Sequence, residues 1–371
     1  MLKQISSLAT SDINALSAAQ AAGLSSVQVA AISVADVAYI STAAITALAG
    51  EISNLSAADV PHLTNAQVSA LSSVQIQDLG SLQVQALTTS QVATLASSLS
   101  ATQIGHLAAT QASGLTTTAL AAVAAVSTAT LASISTKVVA AFTSVQVAAL
   151  GTNVTSLQLG ALSAGGVTGL ATATLNGLSS VNLNSISAKD ISSLSSTQVT
   201  NLVSTQTQLL SSVQVQALTT SQVATLASSL SGTQIGQLAA TQASGLTTTA
   251  LAAVAAVSTA TLASISTKVV AAFTSVQVAA LGTNITSLQL GALTAGGVTG
   301  LATATLNGLS SVNLNAISAK DISALTTAQI SNLATAQAQL LSSTQLAALT
   351  YSQVSALVGE LATSQIQYLT V

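Results

Sequence analysis

Residues able to do chemistry are few enough in this chain to weigh one by one: two His, five Lys, eight acidic residues, and no Cys, Arg or Trp among 371 positions. A tetrahedral zinc site would have to combine His62 and His106 with a distant carboxylate. A later copy of the same segment carries Gln237 where the earlier one has His106, so both His read as solvated surface residues. Ser and Thr are abundant, yet a hydroxyl nucleophile needs a base and an orienting group beside it. Lys189-Asp190 and Lys320-Asp321 recur at matching places, with Asp where neighbouring segments carry Gln. Each Asp is expected to cap a helix start, where the dipole favours a negative charge. Lys137 and Lys268 read as solubility charges, and Gly165-Gly166 and Gly296-Gly297 as tight turns, since no Gly-Lys-Ser/Thr follows to make a phosphate loop. The acidic residues are scattered singly, without the spacing of a calcium loop. No catalytic, cofactor-binding or metal-binding residue is assigned, and an enzyme is not expected.

Half of the residues are apolar but only 4% are charged and 1% aromatic. A net charge of -3 cannot neutralise a run of phosphates, which argues against nucleic acid as a partner. The mean hydropathy of +0.71 lies outside the polar, charged regime of disordered chains. Hydroxyl and amide residues interrupt every apolar stretch well before the roughly 18 residues of a membrane span, so the chain reads as not membrane-spanning. Met1-Leu2-Lys3-Gln4-Ile5 shows no leader, and the absence of Cys leaves the compartment open.

What positions any side chain here is repetition. Residues 81–211 and 212–342 are one 131-residue unit written twice with 16 substitutions, residues 1–80 are diverged repeats, and residues 343–371 begin a third unit that is cut short. One continuous solenoid is expected, looking like a segment of something longer. Within the unit runs a period of eight. Leu8, Leu16, Leu24, Ile32, Ile40 and Leu48 keep it, and after one seven-residue step Leu55, Leu63, Leu71, Leu79, Leu87 and Leu95 resume it.

Each octad has the order Leu, Ser/Thr, two small residues, Gln/Asp, Val/Ile. Thr64 with Gln67 three residues on makes a capping box, and Leu63 with Val68 the hydrophobic staple that fixes the entry of a helix. One long helix is disfavoured, because eight residues at 100° each make the apolar positions drift by about 80° per octad until no stripe remains. A continuous strand would send Leu and Val to opposite faces. The chain must therefore turn at every Ser/Thr. Extra pieces at Ala96–Leu99, Ala132–Ile134 and Gly151–Val154 each end in an apolar residue. Three or four residues add one helical turn and restore the same face, so these pieces predict one-turn extensions of helices. The fold expected is an all-α solenoid of very short capped helices, with a β-solenoid as the alternative, above all over residues 151–190. Two or three octads would complete a winding.

At the level of Leu-Thr-x-x-Gln-Val the octads look like the opening helix of transcription-activator-like effector repeats, without the base-reading pair or basic charge of that family. Nearly the whole chain resembles the low-complexity Leu-Thr-x-x-Gln-Val octad arrays of large bacterial secreted or surface proteins. That resemblance implies a spacer, adhesin stalk or surface-layer module, extracellular or on the cell surface. The function expected is a non-enzymatic structural array that self-associates, laterally or end-to-end. The alternative is a solenoid that binds a peptide, glycan or ice along a Ser/Thr-rich face.

Overall fold

The computed structural model describes residue 5, residues 7–257 and residues 259–370; Met1–Gln4, read above for a leader, lie outside the described residues. Regular structure is helical throughout, in pieces of three to ten residues, and no strand occurs among the described residues. The β alternative for residues 151–190 is thereby overturned. That stretch holds the helices Ser156–Ala161, Ala164–Val167, Thr172–Gly177, Ser180–Ser185 and Ala188–Ile191.

The corner between two helices is built from two extended residues. Leu71 (φ -65°, ψ 135°) closes the helix Asn65–Ala70, and Ser72 (φ -69°, ψ 158°) caps Ser73–Asp78. Neither conformation needs glycine, so the corner can be a Leu and a hydroxyl residue. Helices this short do not persist alone in water and must be held by their neighbours. The two apolar positions of the octad do this. Val68, Val84 and Val92 are fully buried, and Leu63, Leu71, Leu79 and Leu87 nearly so. Each buried aliphatic contributes about 1.5–3 kcal/mol.

Three octads make one winding, which settles the question the period alone leaves open. Asn65–Ala70 packs against Thr89–Leu95, and their caps, Thr64 and Thr88, stand 24 residues apart. The extra pieces change this spacing in two directions. Thr89–Leu95 packs in turn on the 3-10 helix Ala109–Gly114, whose cap Ala108 lies only 20 residues beyond Thr88. Here Ala96–Leu99, expected as a helical extension, is a turn replacing a whole side of the winding. Gly151–Val154 likewise begins as a turn, which Gly151 enters at φ +63°, a region open to glycine and costly for other residues.

The one true extension lies elsewhere than the leucine spacing suggests. It falls in the ten-residue helix Thr117–Val126 and not at Ala132–Ile134, because the caps Thr116 and Ser127 are 11 apart while Ser127 and Ser135 are 8 apart. Thr117–Val126 packs on Ser144–Ala149 across a 27-residue winding, from cap Thr116 to cap Thr143. The chain forms two compact units, Met1–Leu194 and Ser195–Val371. In the second, windings of 24, 20 and 27 residues follow in the same order, from Ser195 to Thr219, Ala239 and Ser266.

Candidate functional site

The octad glutamine is the polar residue most often buried in both units. In the helix Asn65–Ala70 the Thr64 hydroxyl accepts from the Gln67 backbone N–H at 3.2 Å, and Gln67 Oε1 accepts from the Thr64 backbone N–H at 2.7 Å. This is the capping box read from the sequence. The side chain is only 1% exposed, and its other end makes a second set of bonds. Gln67 Nε2 donates to the carbonyls of Val37 at 2.8 Å and Ile40 at 2.7 Å, both in the winding before. One amide thus joins the start of a helix to backbone carbonyls near the end of another, groups that a helix end leaves without an internal partner.

These bonds survive every change of winding length. In a 24-residue winding, Gln91 Nε2 reaches Val60 and Leu63, 31 and 28 residues back. After the 20-residue winding Gln111 reaches Val84 and Leu87, 27 and 24 back. Over the 27-residue winding Gln146 reaches Ala112 and Leu115, 34 and 31 back. Gln75 reaches Ile45 and Thr46, whereas for Gln91, Gln111 and Gln146 the chemical target is the same: the carbonyl at the Val/Ile position and that of the residue closing the octad. The second unit repeats it, with Gln242 on Val215 and Leu218, Gln277 on Ala243 and Leu246, and Gln353 on Ile322 and Leu325. Each unit therefore carries ladders of amide rungs linking successive windings.

This role was missed in the sequence, although a signal for it was present. A capping box takes Glu as readily as Gln, yet in the 131-residue unit eight of the fifteen octads carry Gln at this position and none carries Glu. Only the amide offers an N–H on one side and a carbonyl on the other. Where Asp replaces Gln there is no amide N–H to form the rung: buried Asp59 accepts from the Ser56 N–H at 2.8 Å, and Asp36 instead accepts from the Thr10 hydroxyl, 26 residues back, at 2.9 Å. Near Gln337 the ladder is rewired. Asn307 Oδ1 takes the Ala334 N–H, Gln337 Nε2 donates to the Asn307 carbonyl, and Gln337 Oε1 is left buried without a partner.

The residues singled out for chemistry are not brought together. His62 and His106 are exposed, as are Lys137, Lys189, Lys268 and Lys320. No group of three or more His, Cys, Asp or Glu able to hold a metal occurs among the described residues. The N–H groups of Asp190 and Asp321 donate to the cap hydroxyls of Ser187 and Ser318. Gly165-Gly166 and Gly296-Gly297, expected as tight turns, lie inside the short helices Ala164–Val167 and Ala295–Val298, with Gly166 and Gly297 in the glutamine position. Their missing side chains fit the crowding there, since a Cβ on Gly166 would stand 3.3 Å from Leu162 Cδ2.

An unionised amide held at both ends neither transfers a proton nor binds a cation, and what it supplies is cohesion between windings. Among the described residues no helix is long and apolar enough to cross a membrane. No protein-family model, curated protein or solved structure matches the chain.

Proposed function

We propose that the chain is a non-enzymatic structural array, acting as an extracellular stalk, scaffold or self-associating surface element. The observation that carries this reading is the amide ladder. In a full octad the Leu and Val fill the core, the hydroxyl caps the helix, and the Gln ties the winding to its neighbour. The conserved chemistry of the repeat is thus spent on holding windings together, and a longer array needs only more octads. Other copies of the chain are the proposed partners, laterally or end-to-end, because so low a charge density opposes contact weakly.

Small-angle scattering from the purified chain tests the structural role. An elongated particle is expected, and a compact globule would overturn the reading. Sedimentation across a concentration series tests the association separately: the mean mass should rise with concentration, and a chain monomeric throughout is not self-associating.

A further inference from the structure

The two copies of the 131-residue unit provide an internal comparison. In the second unit a groove of about 640 Å³ opens beside the helices Gly232–Gly236, Thr248–Val257 and Thr259–Ala263, with buried Leu230, Ala250 and Val254 at its floor. The matching groove of the first unit, over Leu99, Ala119 and Val123, measures about 240 Å³. Among the described residues that line the larger groove, one differs between the copies: Gly232 stands where the first unit has Ala101. A Cβ on Gly232 would lie 2.0 Å from Thr261 Cγ2, so the Thr261 methyl occupies the notch that the glycine leaves.

Going beyond the structural role, we infer that this groove is a binding site for an uncharged, largely apolar small molecule carrying a hydrogen-bonding oxygen or nitrogen. Its volume falls within the range of ligand pockets, about 300–1,000 Å³, whereas the groove of the first unit falls below it. None of the described residues that line it is charged, so an ion entering would lose hydration without compensation. The floor is aliphatic, while Ser228, Thr233 and Thr249 bring exposed hydroxyls to the lining, able to donate to or accept from one polar group.

N-phenyl-1-naphthylamine, uncharged at neutral pH and fluorescent in apolar surroundings, is the probe. Titrated into the full chain, it should saturate at one site per chain. Gly232→Ala should weaken the saturable signal at least tenfold with the helical circular dichroism intact, since the first unit already folds around Ala101 opposite Thr130. Ala101→Gly should raise the stoichiometry to two. A signal unchanged by Gly232→Ala, or one that never saturates, overturns the site. Should Gly232→Ala fail to fold, the second variant decides alone: two sites uphold the inference and one overturns it.

Discussion

Where a glutamine stands three residues after a cap it performs two tasks that pull its side chain in opposite directions, and this makes it hard to replace. Gln91 is 1% exposed, receives the Thr88 N–H at 2.8 Å, and gives both amide protons to carbonyls of the preceding winding at 2.8 Å. Gln91→Leu should cost at least about 1–3 kcal/mol, because the buried carbonyls of Val60 and Leu63 lose their partner, as does the Thr88 N–H. Gln91→Glu keeps the capping half but sets a carboxylate against two carbonyl oxygens, at about 3–5 kcal/mol for an uncompensated buried charge. Burial and the acceptors facing it would hold that carboxyl well above the usual carboxylate range in the folded state, since only its protonated form can donate. A raised folded-state value contributes stability at low pH that disappears as pH rises through it. The deficit of Gln91→Glu relative to the parent chain should therefore shrink on going from pH 7 to pH 4. Paired denaturant titrations at the two pH values check this, and a deficit that grows on acidification would refute the ladder's donor requirement.

At the scale of the element, what could be read in advance was what depends on near neighbours in sequence. Leu63, Thr64, Gln67 and Val68 lie within six positions, so the box and staple they form follow from spacing alone. The number of helices per winding does not, because it depends on how each extended Leu-Ser/Thr corner turns the next helix, and that is set by packing 24 residues away. The misplaced extension has a related cause. The leucine spacing puts the extra residues at Ala132–Ile134, whereas the caps define where a helix starts and place them in Thr117–Val126. Cap chemistry also marks where the fold can be improved. Ala108 opens the 3-10 helix Ala109–Gly114 with Gln111 in place and its own N–H bonded to Gln111 Oε1 at 2.7 Å, but it lacks the hydroxyl. Ala108→Ser should add about 1 kcal/mol by accepting the Gln111 N–H. Thermal melting should show a higher midpoint, and Thr88→Ala, which removes an existing cap bond, should show the opposite shift of similar size.

Across the whole molecule, contacts run from each winding to the ones before and after it within its unit, so stability is a sum of local terms and near-neighbour interfaces. A globular core would spread the loss of one residue over the entire fold. Here the loss should stay near the winding that bears it. In Gln91→Leu the affected carbonyls belong to Val60 and Leu63, and the helix set loose is Thr89–Leu95, all within Met1–Leu194. Hydrogen exchange read by mass spectrometry should then show faster exchange in peptides covering residues 60–115, while peptides covering 277–353 keep the parent protection. The matching change Gln222→Leu should move the faster exchange to peptides covering residues 195–246 and leave those covering 60–115 at parent protection, since Gln222 occupies the corresponding box of the second unit beneath cap Thr219. Uniform loss of protection in either variant would mean that the chain unfolds as one cooperative body, and the view of its stability as a stack of separately sealed windings would have to be abandoned.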